Sequence, residues 1–286
     1  VIAFRTLSAL GCRVGECPLW DERRDILFIC DVLAPAIHGI ALDGTRKASW
    51  NFQQPVGSFG LTESGRLILA LGREIALFDP DSGTLSRFAG TAEPETNRLN
   101  DGKVGPDGRF YLGSMDDRPE KEPLGVFYQV SADGAVKALF GGIKVSNGLA
   151  WSPDGRVLYH SDSRGPTIDA YDFDPQAGEL SGKRRFATLD EATGRPDGGA
   201  CDVQAHYWSA GVSAGMLNRF APDGTLVSRH PVPCKAPTMP GFCGPGLKML
   251  AVTSLSIGPL PGPGDGDLFI AEAPVAGVPI ARMKGL

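Results

Sequence analysis

Four oxygen-bearing residues far apart in the chain, Glu16, Asn100, Asn147 and Asp197, each open a short apolar run. Three stand in similar contexts: "RLNDGKVGPDGR" (98–109), "IKVSNGLAWSPDGR" (143–156) and "GRPDGGACDV" (194–203). Asn, Asp and Gly are poor strand formers, so a strand begun by them gives up local propensity, and a ligand site is a sufficient reason. Asn and Asp before Gly are also ordinary turn residues whose side chains bond nearby amides. Glu16 is harder to explain that way, and the shared phase of all four favours a site. Two carboxylates and two carboxamides brought together suit a hard divalent cation such as calcium, magnesium or manganese. Without the cation the carboxylates would repel, and one would take up a proton.

The elements that could bring them together show as a repeat. Anchors at Glu16, Ser58, Asn100, Asn147, Asp197 and Met239 are separated by 42, 42, 47, 50 and 42 residues. Eleven residues after each anchor stand Leu27, Leu69, Tyr111, Leu158, Trp208 and Leu250, a uniformly apolar column. Between turn signals such as "LDG", "ESG" and "PDG" lie short β-rich runs, "ILFICDV", "RLILAL" and "RVLYHSD" among them, with no sustained helical period. Four short strands per repeat of this length make a propeller blade. The chain is therefore expected to be all-β: a six-bladed β-propeller of four-stranded blades in one domain over residues 1–286, with residues 1–10 supplying the strand that closes the ring. A pair of β-sandwiches would not explain the spacing. In a propeller each anchor begins the innermost strand, beside the central channel.

Composition sets the outer bounds. With 286 residues, 42% hydrophobic and 21% charged, and a net charge of -5, the sequence is that of a globular protein and a poor match for nucleic acid. No apolar run is long enough to cross a bilayer, and "VIAFRTLSALGCRVGEC" lacks the plan of a secretory signal, so a cytoplasmic protein with no membrane partner is expected. Six scattered cysteines read as free, mostly buried thiols, and the lack of a CxxC pair argues against structural zinc.

At these residues the sequence resembles the gluconolactonase and regucalcin (senescence marker protein) family of six-bladed propellers, which includes bacterial sugar-acid lactonases. The resemblance runs over nearly the whole chain and rests on "GECPLW" (15–20), "RLNDGKVGPDGRFYLGSM" (98–115), "SNGLAWSPDGRVLYHSD" (146–162) and "RPDGGACD" (195–202). It implies that Glu16, Asn147 and Asp197 bind one divalent metal, calcium first, with zinc, magnesium, manganese or iron(II) also compatible. It implies that Arg98 and Asn100 lie against the substrate. The reaction implied is hydrolysis of a sugar lactone, the cation polarising the carbonyl and stabilising the oxyanion. Asp197 would be both ligand and base, or a hydroxide on the cation would attack instead. Arg98 alternatively pairs with Glu95 or Asp101. The family's acidic residue after "GSM" has no clear match in "DDRPEKEP", which leaves Asp116, Asp117 and Glu120 open, and "CDVQAHYW" (201–208) departs where a local loop change is expected.

Competing motifs carry less. "GVSAG" (211–215) fits a nucleophile elbow only by pattern, since no helix is expected after Ser213. His38, His160, His206 and His230 share no repeat phase with Asp197, and "GPLPGPGDGD" (258–267) reads as a surface loop. A phosphotriesterase of the diisopropyl fluorophosphatase type and a non-catalytic metal-binding propeller are the alternative functions. Arg98 favours a hydroxylated substrate over an apolar phosphotriester.

Overall fold

A computed structural model describes residues 2–256, 258 and 261–286; the loop expected over 258–267 lies partly outside them. Six four-stranded antiparallel blades form a ring, one of them extended by a fifth, parallel strand. Their innermost strands are Gly15–Asp21, Val56–Thr62, Asn97–Val104, Ser146–Trp151, Pro196–Cys201 and Pro237–Cys243, which define blades 1 to 6. Every anchor falls on one of these strands. In blade 6 the outer strand is Arg5–Ser8, which pairs with Leu268–Glu272 (Arg5 opposite Ile270, Thr6 opposite Phe269) and closes the ring as expected.

Burial explains why these segments are strands. Inner and second strands are sandwiched between neighbouring blades, so Val56–Thr62 and Phe110–Asp116 are buried throughout, whereas the outer strand Glu179–Thr188 is mostly exposed. The apolar column of the repeat, Leu27, Leu69, Tyr111, Leu158, Trp208 and Leu250, is wholly buried. Its members join separate interblade clusters, such as Phe28, Phe59, Leu69 and Phe78 between blades 1 and 2. The only helical segment among the described residues is the short 3-10 turn Pro245–Leu247, so no helix is long and apolar enough to cross a membrane. All six cysteines are free, Cys234 alone being partly exposed.

Two features position the site. Each inner strand carries a bulge near its entry: between Glu16 and Leu19, Val56 and Ser58, Leu99 and Gly102, Asn147 and Ala150, Pro196 and Gly199, and Pro237 and Pro240. Bulges interrupt the strict alternation of side chains and re-aim them. The second feature was not expected from the sequence. After Glu272 the chain crosses the far end of the ring: Gly277 bridges Asp202, and Arg282–Met283 pairs in parallel with Leu61 and Thr62. Arg282 Nη2 there donates to the buried Asp21 carboxylate at 2.5 Å. Beneath this segment the channel widens to a cavity of about 370 Å³, lined by Cys17, Phe59, Lys103, Trp151 and Met239 and covered by Val278–Ala281.

Candidate metal centre

Asn147 is aimed from both sides. Its Nδ2 donates to Ser163 Oγ at 2.8 Å, and its Oδ1 accepts from Asn100 Nδ2 at 3.1 Å. Gly148 follows at φ 70, in the left-handed region that only glycine adopts freely, and a side chain there would collide with Ser161 and the Tyr207 hydroxyl. This answers why an Asn-Gly pair opens a buried strand. The pair forms the bulge that turns Asn147 into the channel while the strand packs closely behind it.

Asn100 Nδ2 also donates to the Ser146 carbonyl at 2.8 Å, and its Oδ1 accepts from Arg98 Nη1 at 2.6 Å. The carboxamide therefore links Arg98 to Asn147. Arg98 Nε donates to Asp117 Oδ1 at 3.0 Å. Its carboxylate partner is thus Asp117, and not Glu95 or Asp101. Asp116 is turned away and is held by Arg118 and by the Glu122 amide. Glu120 is exposed on the loop 117–124.

Asp197 is 8% exposed, and its carboxylate accepts no hydrogen bond from a described residue. Burial and the charge of Asp101 push its carboxyl well above the usual carboxylate range, against the pull of Arg195 and Arg98. Glu16 is half-buried. Burial, then Asp197, then Asp101 raise its carboxyl, eased by the Cys17 amide and by Arg98. Glu16 and Asp197, 181 residues apart in sequence, therefore share one well.

The sequence reading missed two groups. Asp101 is 5% exposed; its Oδ2 accepts the Leu149 amide at 3.1 Å, and its Oδ1 has no partner. Lys103 stands below it, Nζ donating to the Gly199 carbonyl at 2.8 Å. Anchors Ser58 and Met239 are structural. Ser58 Oγ donates to the Asn100 carbonyl at 2.7 Å, and Met239 packs on Gly198, where a Cβ would not fit. His160 lies in the core, its ring against Phe127 and Phe140 and its Nε2 2.8 Å from Ser146 Oγ; burial holds it down at about 3. Ser213 Oγ accepts the Arg195 amide at 2.9 Å and so steadies the approach to Asp197. The loop at 201–208 is organised by Asp202, which accepts from Trp208 Nε1 and Arg219.

The donor set fits a hard divalent cation. Two mutually repelling carboxylates, one without a hydrogen bond, lie near a third buried carboxylate with an orphaned oxygen, and the Asn147 carboxamide stands on the inner strand between those of Asp101 and Asp197. Among the described residues no three carboxylate, imidazole or thiol groups are placed to hold a metal alone, so the carboxamide would complete the set.

Comparison with known proteins places the chain in a family. Residues 14–256 match the model of the SMP-30/Gluconolactonase/LRE-like region. The chain is 36% identical over 244 residues to a 6-deoxy-6-sulfogluconolactonase of Pseudomonas putida, covering 84% of this chain and 83% of that one. It is 31% identical over 281 residues to an L-arabinolactonase of Azospirillum brasilense, covering 95% and 92%. The crystal structure of a calcium-binding protein, regucalcin, from Agrobacterium tumefaciens superposes with a TM-score of 0.92 at 26% identity, covering 100% and 98%. With a family match that spans all six inner strands, the chain belongs to the SMP-30/gluconolactonase/LRE-like family.

Proposed function

We propose that this protein hydrolyses a sugar-derived lactone to the open-chain acid, using a divalent cation held by Glu16, Asn147 and Asp197. The observation that carries the reading is the pair of under-partnered buried carboxylates, Asp197 raising Glu16, with the Asn147 carboxamide fixed by Asn100 and Ser163 on the inner strand next to that of Asp197. The names of the lactonase relatives support the substrate class. When bound, the cation supplies Lewis acidity toward the lactone carbonyl and charge stabilisation of the developing oxyanion.

This chain's own residues do the rest. Asp197, with no donor satisfying its carboxylate, is free to accept a proton from an attacking water and direct it at the carbonyl carbon. Arg98 and Asn100 are held to each other and to Asp117 and Asn147, which leaves the Arg98 Nη2 group as the fixed donor, and Asn100 Oδ1 as acceptor, for ring oxygen and hydroxyls. That arrangement orients substrate at little entropic cost. Hydroxylated rings reward such a pair, which is why a sugar lactone is favoured over an apolar phosphotriester. A panel of aldonolactones, followed by acid release with chelated protein re-supplied with calcium, magnesium, manganese, zinc or iron(II), tests the reading. We expect activity that disappears on chelation and returns with at least one cation; acid release equal to the uncatalysed rate with every lactone and cation would overturn it.

A further inference from the structure

Two ionisable side chains of blade 3 are drawn out of water without the partners that this normally requires. Asp101 is buried with Oδ1 free of any hydrogen bond. Lys103 is half-buried and enters no ion pair among the described residues, its ammonium donating to the Gly199 carbonyl. All six inner strands line the 370 Å³ cavity, and among its described wall residues Lys103 alone is charged. Polar groups left short of partners cost free energy, and apolar side chains of similar size would serve the fold at least as well. What the two side chains hold explains their presence.

Each reaches a bulge that carries a candidate cation ligand. Asp101 Oδ2 accepts the Leu149 amide at 3.1 Å, and Leu149 lies within the bulge between Asn147 and Ala150. Lys103 Nζ donates at 2.8 Å to the carbonyl of Gly199, which ends the bulge between Pro196 and Gly199 that contains Asp197. This second bond skips blade 4 and joins blade 3 directly to blade 5. Blades 4 and 5 are tied to each other as well, the Tyr207 hydroxyl donating to the Gly148 carbonyl at 2.8 Å. The backbones that carry Asn147 and Asp197 are thus fixed by a triangle of hydrogen bonds, two sides of which start from one strand. The spacing of Asp101 and Lys103 on that strand is itself held by the ladder, in which Lys103 stands opposite Tyr111.

We infer, on the reading that Glu16, Asn147 and Asp197 hold a cation, that Asp101 and Lys103 are positioning residues of that centre: they set the distance between the Asn147 and Asp197 oxygens, and through it the size of cation the centre prefers. Neither is a ligand. Calcium takes oxygens at about 2.3–2.6 Å and magnesium at about 2.0–2.1 Å, so a shift of a few tenths of an ångström in one ligand decides between them. Contacts that orient ligands from behind change metal affinity by about 10–100-fold when removed.

The test is calorimetric titration of chelated protein with magnesium, calcium, manganese and zinc. All four ions are divalent, so the charge lost or gained in a variant acts on them alike and cancels in the ratio of affinities. In Lys103→Met and in Asp101→Ala, the cation that the wild type binds best should lose about tenfold or more of its advantage over the others. Lys103→Arg keeps a donor and has the cavity beside it for the added bulk, and Asp101→Asn keeps an acceptor for the Leu149 amide, so both should retain the wild-type preference. Methionine suits the apolar wall, and Lys103→Met should therefore melt no lower than wild type. An unchanged ratio in Lys103→Met and Asp101→Ala, or wild-type affinities that do not distinguish the cations, overturns the inference. A preference lost in Asp101→Asn would make Asp101 a ligand in its own right and overturns it too. Should the wild type bind no cation, the cation reading falls by itself, and crystal structures of the chelated proteins decide the positioning. A distance between Asn147 Oδ1 and the Asp197 carboxylate that changes in Lys103→Met supports it, and the same distance in both proteins ends it.

Discussion

Asp197→Asn should move stability and activity in opposite directions, and this separates a functional carboxylate from a structural one. In chelated protein the Asp197 carboxyl is raised by burial and by Asp101, and Glu16 by burial and by Asp197. A folded-state value above the unfolded one means that the native protein binds more protons between the two. The stability from these groups is therefore complete below the unfolded value, about 4, and is lost as pH rises through the raised folded value. Two unit charges 4 Å apart repel by about 1 kcal/mol in a water-like medium and about 4 kcal/mol at the effective dielectric of protein sites. Asparagine removes that repulsion at nearly constant volume. Chelated Asp197→Asn should thus be more stable than chelated wild type at pH 8 by roughly 1–4 kcal/mol, and the difference should vanish near pH 4. Scanning calorimetry in chelator at both pH values reads this as a rise in Tm of about 2–4 °C per kcal/mol. Lactone hydrolysis with metal restored should fall by roughly 10²–10⁴-fold, the contribution of a general base. A lower Tm for the chelated variant at pH 8 would mean that the carboxylate holds the fold together, and wild-type turnover would remove Asp197 from the reaction.

Glu16→Gln should weaken divalent-cation affinity in calorimetric titration of chelated protein; equal affinity would place the cation elsewhere. Arg98→Ala should mainly raise KM, because Arg98 Nη1 holds Asn100 at 2.6 Å without being a ligand, and a kcat loss with KM unchanged would contradict that role. Glu93→Ala should unfold at a temperature several degrees lower. The buried Glu93 carboxylate accepts from Asn97 at 2.5 Å, Ser114 at 2.5 Å and Tyr128 at 2.7 Å, and each buried donor left unpaired costs about 1–3 kcal/mol. Since Asn97 adjoins Arg98, the same variant should raise KM, and a Tm equal to wild type would show that solvent replaces the carboxylate.

The ring was legible because the spacing of Glu16, Asn100, Asn147 and Asp197 coincides with an apolar column eleven residues on. Asp101 was not, because strand alternation would point it away from the face that carries Asn100. The bulge between Leu99 and Gly102 cancels that alternation, and its location cannot be read from composition. The partner of Arg98 was hidden for a related reason. Arg98 lies opposite Met115 in the ladder, which brings Asp117 beside it, whereas Glu95 and Asp101 are nearer in sequence only. The closing segment at the far end was missed because "GVPIARMKGL" (277–286) has neither strand alternation nor a partner until the ring exists.

The bulges also show why the site draws on some blades and not on others. In blade 4 the left-handed turn after Asn147 falls to Gly148, at φ 70, and in blade 1 the turn after Glu16 falls to Cys17, at φ 55. For cysteine that conformation costs on the order of 1–3 kcal/mol. Part of it is offset next door, where the Cys17 thiol accepts the Phe59 amide at 3.4 Å and donates to the Phe59 carbonyl at 3.3 Å. Blade 2 thus holds blade 1 in the conformation that aims Glu16 inward, just as Ser163 and Asn100 hold Asn147. Blades 2 and 6 carry Ser58 and Met239 at the same phase, and these side chains brace Asn100 and Gly198 without projecting an oxygen ligand. On the proposed reading the division of labour follows from what each bulge presents: blades 1, 4 and 5 offer oxygen to the cation, blade 3 offers Arg98 and Asn100 to the substrate, and the remaining two fix the geometry.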